Sequence, residues 1–209
     1  MTRIKICGIT RVEDGLACAR LGADAIGLVF YPQSPRAVSI AQAEAIVAAL
    51  PPFVTTVALF VDPQASEVDA VLRTVRPDVL QFHGHEPADF CRRFGVRYLK
   101  ALPVREDADL LQSAAPYTDA TGVLLDTPTA AFGGSGEAFD WSLIPAAMAG
   151  RCVLAGGLNV ANVATAIRQV RPWAVDVSSG VEVAKGIKDA GKIAAFVAEV
   201  HQIDLQLSR

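Results

Sequence analysis

CVLAGGLNVANVATAIRQVRPWAVDVSS, residues 152–179, holds one complete structural unit and the start of the next. An apolar run (152–157) ends in two glycines, a stretch with apolar residues at helical spacing follows (159–170), and a β-branched run (174–179) ends in two serines. Strand-length apolar runs on either side of a 3.6-residue periodicity read as βαβ. Parallel strands covered on both faces need no polar alternation.

The same unit repeats through the chain. Strands are expected at 4–7 (IKIC), 25–30 (AIGLVF), 55–61 (TTVALFV), 79–82 (VLQF), 98–102 (YLKAL), 122–126 (GVLLD), 152–157 (CVLAGG) and 174–179 (AVDVSS). Helices are expected at 12–22, 40–50, 66–75, 87–95, 107–117, 141–149, 159–170 and 188–202. Thr10 with Glu13, and Ser39 with Gln42, have the spacing of capping boxes, and Gly22 and Gly95 stand where helices end. Eight βα units in 209 residues, with no linker or low-complexity stretch, predict an α/β fold. A single-domain (β/α)8 barrel (TIM barrel) over 1–209 fits better than an open doubly wound sheet, which rarely needs eight parallel strands.

Composition narrows the partner. Nineteen basic residues against 22 acidic ones, without a basic run, leave no electrostatic footprint for nucleic acid or an anionic membrane surface. A small molecule is expected instead. No N-terminal stretch reads as a signal peptide and no apolar run reaches the roughly 18 residues of a membrane span, so a cytoplasmic protein is expected. Cysteines 7, 18, 91 and 152 form no CxxC pair and should be thiols.

In such a barrel the chemistry sits just after each strand. Cys7, in KICGIT (5–10), is either a small core residue or a catalyst; a helix start near Thr10 would favour its thiolate. Cys18, Cys91 and Cys152 lack that setting. Arg36, in FYPQSPR (30–36), is either a solvated loop residue or a fork for a carboxylate or phosphate. QFHGH brings His83 to the fourth strand end, where it either faces substrate, ligates metal or hydrogen-bonds locally, while His85 reads as surface. With His201 on the last helix, three histidines do not make a metal site, and none is expected. Asp126, in GVLLDTPT, is either a turn former or a general acid or base. FGGSGEAFDW (132–141) reads as a closing lid. Gly156 and Gly157 in LAGGL, with Ser178, Ser179 and Gly180 in DVSSGVE, offer backbone and hydroxyl donors where barrels often hold phosphate.

KICG, FxxxSPR, QFHG, the LLD strand end, GGSGEAFDW, LAGGL and DVSSGVE, in this order and followed by GIKD (186–189), resemble the phosphoribosylanthranilate isomerases of tryptophan biosynthesis. The resemblance covers nearly the whole chain. It implies a cofactor-free Amadori rearrangement of a phosphosugar by general acid–base catalysis in a monomer or homodimer. Cys7 matches the family's general base, Asp126 its general acid and Arg36 the residue facing the anthranilate carboxylate. Gly157 and the Ser178–Ser179–Gly180 turn match the phosphate grip, while His83 and Asp176 match positions lining the same mouth. Ser135, Phe82, Val160 and Lys185 stand where the family often has threonine, leucine, proline and proline; none is a matched catalytic position.

Rival readings need other residues. A metal-dependent pentose-phosphate epimerase needs a histidine–carboxylate metal set, and an indole-glycerol-phosphate synthase a catalytic lysine with glutamates at strand ends. A non-catalytic phosphosugar-binding barrel has no reason to hold Cys7 and Asp126 together.

Overall fold

The computed structural model describes residues 1–128 and 138–208. Eight parallel strands follow one another around a closed barrel: β1 (Arg3–Cys7), β2 (Ala25–Val29), β3 (Thr55–Phe60), β4 (Val79–Phe82), β5 (Tyr98–Pro103), β6 (Gly122–Asp126), β7 (Cys152–Leu154) and β8 (Ala174–Val177). β1 closes the ring by pairing with both β2 and β8, so that Lys5 stands opposite Ala25 on one side and Asp176 on the other. Helices α1 (Val12–Arg20), α2 (Ile40–Ala49), α3 (Ala65–Thr74), α4 (Ala88–Arg92), α5 (Leu110–Ala114), α6 (Val163–Val170) and α7 (Ala190–Leu207) belong to the connections and the C-terminal end. A short antiparallel hairpin, β9 (Glu182–Ala184) with β10 (Ile187–Lys188), sits in the segment after β8.

Alternation along each strand divides the core in two. Leu124 on β6 joins Ala101, Val153, Ala155 and Ala174 inside the barrel, whereas its neighbour Leu125 packs outward under the helices. Three of these five interior residues are alanine. Above them, nearer the strand ends, lie Cys7, Val29 and Leu59. The outer core is larger and centres on Phe82, which stacks with Phe60 at 6.3 Å and Phe94 at 6.0 Å and meets Phe90 and Tyr98 edge-on.

A buried ion pair braces the end of β4. Lys100 of β5 and Glu86 are each 2% exposed in their side chains and meet at 2.7 Å. The ammonium also donates to Gly84 O at 2.6 Å, and Glu86 accepts from the amides of Asp62 and Gly84. Both charges are hydrogen-bonded beyond their contact with each other, the condition under which a buried pair is tolerated. The effect is to fix the backbone on both sides of His83.

Local rules hold where nothing longer-ranged competes. Ser39 and Gln42 form the expected capping box on α2, and Gly22 and Gly95 have φ of 91° and 65°. Thr10 does not cap α1: the N-cap is Arg11, without a side-chain bond, and the Thr10 hydroxyl donates to Gly186 O in the segment after β8. A tertiary partner outcompetes the local one. The helix expected at 141–149 is two 3-10 turns, Trp141–Leu143 and Ala146–Met148, because Pro145 disfavours helical backbone at Ile144, which has ψ of 116°. The helix expected at 107–117 begins only at Leu110, capped by Asp109, and tightens into a 3-10 turn at Ala115–Tyr117.

Phe82→Ala should cost about 3–5 kcal/mol, the usual loss on removing a fully packed aromatic side chain. Equilibrium urea unfolding checks this, with Phe82→Leu expected to lose less than half as much.

Candidate active site

Cys7 is the last residue of β1, and its side chain turns into the barrel at 7% exposure. Opposite it in register is Gly27. A Cβ at Gly27 would lie 2.7 Å from the Cys7 sulfur and 3.2 Å from Lys5 Nζ, so only glycine leaves room for both groups. Burial holds the Cys7 thiol above its ordinary value; the neighbouring Lys5 ammonium pulls against that rise, Asp176 adds to it, and Lys188 again pulls against it. The helix start expected to favour the thiolate is not the nearby positive charge. α1 begins only at Val12, and the Gly8 and Ile9 amides both donate to Gly27 O at 2.9 Å. The cation beside the thiol is Lys5. Cys18, Cys91 and Cys152 are driven by burial up to about 12, 12 and 11, which leaves them as packed thiols.

Asp126 ends β6 and meets His83, which follows β4, with Nε2 3.2 Å from Oδ2. The two side chains are 14% and 11% exposed, open enough to meet a ligand. The Gln81 amide nitrogen lies 3.0 Å from His83 Nδ1; with the amide donating, Nε2–H faces the carboxylate. The Thr127 amide donates to the other carboxylate oxygen at 2.8 Å. His85, by contrast, is 82% exposed beside Asp62, as its surface reading expects.

Arg36 is not a free loop residue. Its Nε and NH2 each donate to Glu182 at 2.8 Å, and the pair is buried. Glu182 also accepts from Lys188 Nζ at 2.8 Å and from the Gly186 amide at 3.2 Å. Burial alone would raise the Glu182 carboxyl, but the Arg36 hydrogen bond and the Lys188 charge hold it below the usual carboxylate range. This side-on grip leaves the NH1–NH2 edge of the guanidinium for another anion. Gly8, with φ of 77°, lets the stem of Arg36 cross the end of β1, since a Cβ there would fall 2.5 Å from Arg36 Cδ.

The loops after β7 and β8 touch. A Cβ at Gly180 would fall 2.1 Å from Leu158 O, and Gly156 and Gly157 have φ of 77° and 62°. Asn159 and Asn162 both donate to Gly157 O, which folds the β7 loop into a fixed turn. Among the described residues, the amides of Gly156, Gly157, Ser179 and Gly180 have no acceptor. The Ser178 hydroxyl is already engaged, donating to Cys7 O at 3.0 Å, so that residue ties β8 to β1. Asp176 lies inside the barrel wall, 8% exposed, with Oδ1 3.0 Å from Lys5 Nζ. The glycine-rich part of the expected lid, 132–137, lies outside the described residues. Its C-terminal end packs Phe139 near Gly156, with Asp140 accepting from the Ser142 amide at 2.9 Å.

Sequence reading missed Lys5, Gly27, Gln81, Glu182 and Lys188. Two of these carried a readable signal: Lys5 and Gln81 stand two residues before Cys7 and His83, and so share their strand faces. Glu182 and Lys188 lie within DVSSGVE and GIKD but carry no sign of their partner, because only the hairpin after β8 brings them to Arg36.

The family model described as N-(5'phosphoribosyl)anthranilate (PRA) isomerase matches residues 4–199. An N-(5'-phosphoribosyl)anthranilate isomerase from Nitrosospira multiformis is 56% identical over 199 residues, covering 95% of this chain and 96% of that protein. Phosphoribosyl anthranilate isomerase from Thermotoga maritima superimposes with a TM-score of 0.89 at 43% identity, over 97% of this chain and all of that one. A second solved isomerase, in complex with reduced 1-(o-carboxyphenylamino)-1-deoxyribulose 5-phosphate, gives 0.86 at 41% identity, over 97% of this chain and 100% of that one. On a match running from β1 into α7, the chain belongs to the N-(5'-phosphoribosyl)anthranilate isomerase family.

Proposed function

We propose that the chain converts N-(5'-phosphoribosyl)anthranilate into 1-(2-carboxyphenylamino)-1-deoxyribulose 5-phosphate without a cofactor, with Asp126 as general acid and Cys7 as general base. One observation carries this reading: a thiol beside an ammonium ends β1, and a carboxyl beside an imidazole ends β6, on the same mouth of the barrel.

The Asp126 carboxyl gives its proton to the ribose ring oxygen as the C1'–O bond breaks toward that oxygen, and the anthranilate nitrogen closes a C=N bond to C1'. Cys7, as thiolate, then takes the proton from C2'. Those electrons form the C1'–C2' double bond and return the C=N pair to nitrogen. Loss of a proton from the 2'-hydroxyl and gain of one at C1' completes the ketone, so atoms and charge balance. The acid must start protonated and the base ionised. Gln81 and His83 hold the carboxyl in place.

The remaining assignments follow the shape of the substrate. The free guanidinium edge of Arg36 faces the anthranilate carboxylate, and the open amides of Gly156, Gly157, Ser179 and Gly180 take the phosphate. Ser178 contributes by joining the phosphate turn to the backbone of Cys7, and Asp176 acts from below the mouth. Four unpaired, buried thiols suit a reducing compartment, consistent with a cytoplasmic enzyme. Freshly made phosphoribosylanthranilate should lose its fluorescence when the protein is added with excess chelator; a flat trace removes the proposal.

Cys7→Ala and Asp126→Asn should each lower kcat by about 10² to 10⁴, while an unreactive product analogue binds as before. Hydrogen exchange at C2' separates the roles: a Cys7 variant that still opens the ring accumulates the imine without exchange. Arg36→Met should weaken the product analogue by about 1.5–3 kcal/mol and leave inorganic phosphate binding nearly unchanged, as calorimetry can measure. Equal losses for both ligands would put this arginine at the phosphate end. Gly180→Ala should do the reverse, forcing the two loops apart and weakening phosphate itself by roughly tenfold or more.

A further inference from the structure

Inside the barrel, below the mouth, two charges stand where a packed tube has little room for any. Lys5 and Asp176 meet at 3.0 Å with side chains 5% and 8% exposed, and their strands place them directly opposite each other. Neither contributes to the outer core. A buried pair of this kind gives little net stability, because taking both charges out of water offsets their attraction. Its position suggests another use: the Lys5 ammonium and the Cys7 sulfur converge on the same point, the place a Gly27 Cβ would occupy.

We propose that Lys5 is the counter-cation of the Cys7 thiolate, and that Asp176 is a positioning residue that holds Lys5 charged and aimed at the sulfur. The proposal rests on Cys7 being the base. The charged groups that face the thiol are Lys5 on β1, Asp176 on β8, Lys188 on β10 and Arg36 in the loop after β2. Lys5 lowers the thiol more strongly than Lys188 does. Arg36 and Lys188 share Glu182, which offsets much of their charge, whereas Lys5 has Asp176 on one side and the sulfur on the other. Burial by itself would discharge Lys5; Asp176 and Cys7 together hold the ammonium above its ordinary value, so it stays a cation throughout the working range. A neutral residue at position 5 would remove the largest of the influences that oppose burial at the thiol.

The readout is thiolate absorbance in the ultraviolet, taken as the difference between a protein and its Cys7→Ala counterpart across a pH titration. The other three cysteines cancel in the difference and ionise only near 11 to 12. Lys5→Met should raise the Cys7 midpoint by about 1–3 pH units, the usual effect of one opposite charge at close range. It should also lower kcat near pH 7 by about tenfold for every pH unit the midpoint rises, with activity recovering in more alkaline buffer and KM nearly unchanged. Because Lys5→Met alone strands a buried carboxylate, Lys5→Met/Asp176→Asn is measured beside it; it removes both charges and should move the midpoint in the same direction. A Cys7 midpoint unchanged in the folded variants overturns the inference. Full turnover in Cys7→Ala instead overturns the base assignment, whatever Lys5 does to the thiol.

Discussion

The barrel exists only if β1 and β8 find each other across most of the chain. Their pairing, from Arg3 opposite Ala174 to Ile6 opposite Val177, converts a row of βα units into a closed tube. Contacts along that seam carry side chains of consequence: the Lys5–Asp176 pair, the Ser178 hydroxyl on Cys7 O, and Lys188 on Ser178 O. Loop closure over such a separation is costly in entropy, and the apolar residues on both faces of the strands supply the compensation. The polar contacts add placement. They set the height of the thiol relative to the turn after β8, because the Ser178 hydroxyl of that turn holds Cys7 O.

Most of the architecture was legible because it follows from periodicity. β4 and β6 run as expected at 79–82 and 122–126, and the other strands differ by a few residues at their ends. Such signals are local: an apolar run of strand length, a cap, a glycine stop. The failures are also local rules, overruled by something else. Thr10 has the right spacing to cap α1 but gives its hydroxyl to Gly186, and the periodicity at 141–149 meets Pro145 in its middle.

The site was legible in part for the same reason. Strand-end positions singled out Cys7, His83 and Asp126, and the structure puts His83 and Asp126 in contact. Glycines at 156, 157 and 180 are explained by positive φ or by backbone that comes too close for a side chain. Partnership was not legible. Nothing in FYPQSPR announces that Arg36 is held by Glu182, 146 residues away. Lys5 was hidden differently, since a lysine inside an apolar strand reads as an interruption until Asp176 is seen across from it. A buried charge becomes intelligible only with its partner, and a barrel finds partners between strands remote in sequence.

The distribution of charge then separates the two proposed proton carriers. Burial, with Asp176 adding to it, holds the Cys7 thiol above its ordinary value, while Lys5 and Lys188 act from two elements to favour its anion. Asp126 meets an imidazole steadied by Gln81 and a single backbone amide from Thr127. A base that must release its proton before the reaction needs fixed cations, since water cannot supply the stabilisation inside a packed tube. An acid that must keep its proton needs their absence. Barrel order keeps the two groups on separate strands: β7 and β8 stand between β6 and β1 on the shorter way round, and the Lys5 cation stands on β1 with the thiol. That separation follows from strand order alone, and it explains why the lysine belongs on β1, two residues below the thiol, and not at the mouth, where it would meet the substrate and Asp126 as well.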